Sequence, residues 1–181
     1  MVDMMFGPLK VRQYGDPCLQ TKSKAVKEVG PVERMLISAM FETMLAYKGV
    51  GLAAPQVGIN EQIFVVDTGK DVFAAINPKI IKSAGKDVME EGCLSVARGM
   101  VDVKRAKTIW VEFTDQENRK VSAQLTGLTA KVFLHEYDHL QGKLILDYLS
   151  SKDRIKIDAQ IKNGSLTGKV LGDEDDSKKR I

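Results

Sequence analysis

"VFLHEYDHLQG", residues 132–142, holds both histidines of the chain, His135 and His139, four positions apart with Glu136 between them. No proline interrupts 127–140, Leu128, Val132, His135 and His139 recur at helical steps, and Gly142 stands where a helix would stop. On a helix, positions i and i+4 lie one above the other, so the two imidazoles can face a single ion. Glu136, three residues before His139, can then reach a water on that ion without displacing a ligand. This is the His-Glu-x-x-His arrangement, two ligands and a general base. Spacing alone equally allows two imidazoles on a solvated or hydrogen-bonded helix face. The apolar setting of Val132, Phe133, Leu134 and Leu140, with every histidine of the chain spent here, favours metal.

A third ligand decides the kind of site. Metzincin spacing would put a histidine at position 145, which is Ile145, and the only glutamate after His139 is Glu174, in a charged terminal stretch. The ligand is therefore sought upstream, in "MEEGCLS" (89–95). There Cys93 lies between Gly92 and Leu94, in a segment with poor helix character. A thiolate binds transition metals strongly, and a set of two histidines and one cysteine leaves a fourth position open for water. Taken alone, Cys93 is as readily a small buried hydrophobe, the reading given to Cys18 in "YGDPCLQ".

Outward from the motif, "PVERMLISAMFETMLAYKG" (31–49) reads as a helix with Pro31 in its first turn and Gly49 at its stop. "QIFVVD" (62–67), "PKIIKSA" (78–84) and "TIWVEFTD" (108–115) read as strands, and "VSAQLT" (121–126) as the return strand of a hairpin with 108–115. In 151–162 alternation of Ile155, Ile157, Ala159 and Ile161 points to a strand, while the charged composition suits a surface helix. Without βαβ alternation the fold class expected is α+β, antiparallel strands around a central helix carrying the histidines. Residues 1–164 are expected to form one domain and 165–181, rich in Gly, Ser and charge, a flexible tail.

The bulk numbers narrow the setting. A chain of 181 residues, 44% hydrophobic and 28% charged, fits one soluble domain. A net charge of +3 neither demands nor excludes nucleic acid. Two cysteines give no disulfide framework, so a reducing compartment is expected. The first residues read as neither secretory signal nor transit peptide, and no stretch has the apolar length of a membrane span.

Three stretches in order, "GVGLAAPQVG" (49–58), "EGCLS" (91–95) and "HEYDH" (135–139), resemble the signature motifs of peptide deformylases. "VRQYGDPCLQ" and "GLTAKVFLHEYDHLQGKLILDYLS" extend the resemblance to about residues 9–150. It implies a hydrolase that removes the N-formyl group from the formyl-methionine of newly made polypeptides. Cys93, His135 and His139 would bind the metal, and Glu136 would serve as general base and acid while hydroxide on the ion attacks the formyl carbon. Gln56 and the backbone N–H of Leu94 would stabilise the oxyanion. Ligand softness alone suggests zinc. The resemblance implies Fe²⁺ instead, with Zn²⁺, Ni²⁺ or Co²⁺ able to substitute.

For the substrate, Gly51 is expected to let its backbone approach, and Val50, Leu94, Phe133 and the His135 ring are expected to wall the methionine pocket. Ordinary core membership is the competing reading for Val50 and Phe133, and a surface amide for Gln56. Glu91 is expected to support the site, with Arg105 the basic residue that holds it. Two departures from the family's pattern stand out. Ala97-Arg98-Gly99 follows "EGCLSV" where proline and glycine are common, and Arg98 is the residue expected to steer the peptide there; Lys131 replaces a common arginine. The resemblance also implies a helix at 151–162, a conceivable ribosome contact, and a monomer. It implies a bacterial-type cytoplasm, or an organelle once a transit peptide is removed. Two readings compete with deformylase: a zinc peptidase with a different third ligand, and a noncatalytic binding module.

Overall fold

The computed structural model describes residues 8–163, apart from the side chains of Ala97, Arg98 and Lys162. The tail expected from 165 lies outside the described residues, as does the Arg98 side chain. Helix α1 is Pro31–Ala46 and helix α2 Gly127–Leu140. Five strands, β1 (Gly51–Ala53), β2 (Ile63–Asp67), β3 (Val72–Ala84), β6 (Thr108–Thr114) and β7 (Lys120–Thr126), form one antiparallel sheet in the order β1-β2-β3-β6-β7. Strands β4 (Asp87–Cys93) and β5 (Val96–Arg105) pair only with each other, as a separate hairpin. Helix α3 is Ser151–Lys162. The α+β class expected from sequence is the class observed.

Strand β2 shows why the sheet sits centrally. Ile63 and Val65 point to the cluster that includes Ile37, Met40 and Met44 of α1. Phe64 and Val66 point the other way, to the cluster holding Ala130, Val132, Phe133 and Leu140 of α2. With both faces covered, the strand becomes a continuous apolar run instead of an alternating one. Phe133 meets Phe64 edge-on at 4.9 Å, and Phe73 and Phe113 complete an aromatic cluster under α2. The hairpin has its own apolar floor, where Val96, Val101 and Val103 pack on Ile145, Leu146 and Ile157. No helix among the described residues is long and apolar enough to cross a membrane.

Several expectations are corrected. Helix α1 stops at Ala46, and Lys48, not Gly49, takes the left-handed conformation that turns the chain (φ 56°). Gly49 lies close to the Leu94 side chain, where an added Cβ would sit 3.0 Å from Cδ1 and push it aside. Strand β3 begins six residues before the expected 78: Pro78 sits inside it, at a register shift between Ile76 and Lys79 where a missing N–H is tolerated. At 151–162 the helix that the resemblance implies is the one observed, and the alternation at 155–161 does not make a strand. Ser150 caps a helix there, its Oγ accepting from Asp153 N–H at 3.2 Å.

Candidate metal centre

Strand β7 ends at Thr126 and α2 starts at the next residue, with Gly127 in the left-handed region (φ 59°). The helix is wedged between the sheet and the hairpin. Val132 and Phe133 look into the core, while Lys131, His135 and Glu136 line a cleft of about 530 Å³ that β4 bounds on its far side. Gly142 ends the helix in the left-handed region (φ 73°), and a Cβ there would run into the Gln20 carbonyl oxygen at 2.6 Å.

Among the described residues one group can hold a metal ion: ligand atoms of Cys93, His135 and His139 all lie within 4.8 Å of one another. Cys93 Sγ is 3.4 Å from His139 Nε2. His135 turns its other nitrogen, Nδ1, to Glu91 Oε2 at 3.0 Å, which leaves Nε2 for the centre. Glu136 is buried beside them, and its Oε2 has no hydrogen-bond partner. Burial pushes its carboxyl up to about 7. Burial also holds His139 well below the usual imidazole value, whereas at His135 the bonds to Cys93 and Glu91 outweigh burial and hold it well above. A soft thiolate, two imidazoles and an unpartnered buried carboxylate fit a divalent transition metal and a water.

The other predicted residues fall into three groups. Gln56 belongs to the centre: it is 1% exposed, its Oε1 accepts from Ala53 N–H at 2.8 Å, and its Nε2 points at Cys93 Sγ (3.7 Å) and Ser95 Oγ (3.3 Å). Fixing the oxygen fixes which way the amide donates. Val50, Gly51 and Leu94 line the cleft. Gly51 is packed against α2, where a Cβ would collide with Glu136 Oε1 and approach Val132 Cγ1 at 2.8 Å. Phe133 is not brought to the cleft, because its fully buried ring belongs to the aromatic core.

Arg105 does hold Glu91. Its Nε and Nη2 donate to the two carboxylate oxygens at 2.5 and 2.9 Å, both side chains being almost fully buried. Burial alone would raise the Glu91 carboxyl, but the bonds from His135 and Arg105 outweigh it and hold it below the ordinary glutamate range. Sequence reasoning missed the rest of this network. Arg105 Nη1 donates to Asp138 Oδ2 at 2.9 Å, and Tyr148 OH to the same oxygen at 2.7 Å. Asp138, the last residue before His139, was the available signal, since a carboxylate on the metal helix needs a partner. Also missed was the N-terminal brace: Arg12 N–H donates to the Gln56 carbonyl and Tyr14 N–H to that of Ser95, each at 2.7 Å, while Gln13 Nε2 reaches Leu94 O at 3.0 Å.

A helix presenting two histidines and a glutamate to a cysteine on a neighbouring hairpin marks a metal-dependent hydrolase. Comparison with known proteins gives the family. The model for polypeptide deformylase matches residues 8–155, and the chain belongs to that family. The peptide deformylase of Pseudothermotoga lettingae is 47% identical over 150 residues, covering 82% of this chain and 86% of that one. Crystal structures of the deformylases from Legionella pneumophila and Thermotoga maritima superpose with TM-scores of 0.83 and 0.77, at 34% and 42% identity. They cover 87% and 79% of this chain, and 95% and 98% of their own. The family's reaction is hydrolytic removal of the formyl group from the N-terminal methionine of nascent peptides.

Proposed function

We propose that Cys93, His135 and His139 hold a ferrous ion, which Zn²⁺, Ni²⁺ or Co²⁺ can replace, and that Glu136, Gln56 and the Leu94 N–H carry out deformylation beside it. The observation that carries this reading is the convergence of the three ligand atoms next to the buried, unpartnered Glu136 Oε2. An ion there supplies the Lewis acidity that makes water nucleophilic near neutral pH. Glu136 takes a proton from the attacking water at Oε2 and delivers it to the departing amine nitrogen. A buried carboxyl with a free oxygen can both take and give that proton. The formyl C–N bond breaks, and the products are formate and a free methionyl amine. Negative charge developing on the formyl oxygen is met by Gln56 Nε2, preorganised by the Ala53 bond, and by the Leu94 N–H.

The methionine side chain enters the cleft beside Val50, Leu94 and the His135 ring, with the Gly51 backbone alongside and Arg98 steering the peptide. Residues 1–164 act as one catalytic domain, monomeric and cytoplasmic, with transient ribosome contact through basic residues of α3.

The test is deformylation of formyl-Met-Ala-Ser under anaerobic conditions, with metal quantified in the same sample. The expected result is turnover proportional to bound metal, and loss of both in Cys93→Ala. Unchanged metal content in that variant would point to a peptidase with another third ligand, and metal-loaded but inactive wild type to a binding module.

A further inference from the structure

The cleft is a gap between α2 and the β4–β5 hairpin, and no backbone hydrogen bonds of a shared sheet set its width. The hairpin is seated on the residues that follow α2, through Val96, Val101, Val103, Ile145, Leu146 and Ile157, which leaves β4 to face α2 across the opening. Two polar bridges cross it. At the metal end, Glu91 reaches His135 and shares Arg105 with Asp138. At the other end, one helical turn before His135, Lys131 Nζ donates to Asp87 Oδ2 at 2.7 Å.

That second bridge is not needed to fill the wall. Lys131 is 9% exposed and lines the cleft with Leu128 and His135, opposite Met89. An apolar residue of similar length would fill the same wall. What the lysine adds is attachment. Its methylene stem is the wall, and its charged end is tied to the first residue of β4. The Lys131 hydrogen bond, then its charge, hold the Asp87 carboxyl below the usual aspartate range.

We propose that Asp87 and Lys131 are a positioning pair that fixes the separation of β4 from α2, and so determines which first side chain of a formyl peptide the cleft accepts. The specificity half rests on the deformylase reading; the tether does not.

The experiment compares wild type, Asp87→Asn, Lys131→Met and Lys131→Arg, each with metal content measured. Substrates are formyl-Met-Ala-Ser and formyl-Phe-Ala-Ser, and amide hydrogen exchange is followed across β4. A partly exposed pair of this kind corresponds to about fivefold in an equilibrium. The expected result is therefore about a fivefold higher KM for the methionyl peptide in Asp87→Asn and Lys131→Met, with kcat and metal unchanged. Preference for methionine over phenylalanine falls, exchange at Met89 and Glu90 quickens about fivefold while β6 and β7 are unaffected, and Lys131→Arg restores all three. Unchanged exchange in β4 overturns the tether. Faster exchange with unaltered KM and preference, or a parallel fall in kcat and metal content, overturns the specificity role. Metal-loaded wild type inactive on both peptides overturns the deformylase reading and with it the specificity role, while exchange still decides the tether.

Discussion

Helix α2 and the β4–β5 hairpin contribute to one centre by opposite means. The helix is fixed by apolar burial, with Ala130, Val132, Phe133 and Leu140 packed on the sheet. The face of β4 turned toward it is fixed by charge: Glu91, Arg105 and Asp138 at one end, Asp87 and Lys131 at the other. Apolar packing is non-directional, so it gives stability and tolerates small shifts. Paired charges are directional and costly to desolvate, so they hold an orientation only while every partner is present. The two imidazoles therefore come on a support held by packing on the sheet, and Cys93 on a hairpin held both by its apolar floor and by these bonds.

The comparison breaks most sharply in chemistry. Glu136→Gln leaves the helix packing and the three ligand side chains in place but removes the carboxylate proposed to carry the proton. Expected is a fall in kcat of about 10³-fold with metal retained, measured on formyl-Met-Ala-Ser. Retained activity would remove Glu136 from the mechanism. The hairpin's dependence on charge is tested by Arg105→Met, which leaves Glu91 and Asp138 without their shared cation. Removing one partner of a buried pair costs about 3–5 kcal/mol, read as a lower denaturation midpoint and weaker metal retention. A variant as stable as wild type would show that the hairpin does not need its clamp.

The smallest effect is in pH. The Asp87 carboxyl is depressed by Lys131, so the folded state binds its proton less readily than the unfolded one. The stabilisation is thus complete above the ordinary aspartate pKa of about 3.9 and is lost as pH falls through the lower folded value. The difference in melting temperature between wild type and Asp87→Asn should hold from pH 7 to pH 5 and shrink below pH 4. A difference that grows with acidification would contradict the assigned sign.

The same contrast explains what could be read in advance. Helix α2 was legible to its ends because its apolar period, the histidine spacing and Gly142 agree, and β6 and β7 because their β-branched runs flank a turn. Strands β4 and β5 were missed as strands. In "DVMEEGC" the buried side chain is Glu91 and an exposed one is Val88, which inverts the pattern that burial normally writes into a sequence. Cys93 was found by its chemistry, not by its strand. Strand β1 was hidden by its brevity, and the start of β3 by Asn77-Pro78, where a left-handed residue and a proline sit at a register shift. For Phe133 the competing reading, ordinary core membership, is the one observed, because it lies on the side of α2 that faces the sheet. Asp138 and Tyr148, distant from Arg105 in the chain, meet it only after folding.

The strand-like brace at residues 12–14 has a consequence for biosynthesis. It supports Gln56 and the Leu94–Ser95 loop, and Tyr14 OH in turn donates to Asp158 Oδ1 at 2.8 Å on α3. Chains are made from the N-terminus at about 5–20 residues per second, so this anchor waits for a residue made 144 positions later. A protein that processes other chains at the start of their lives thus completes its own brace long after the braced residues have been made.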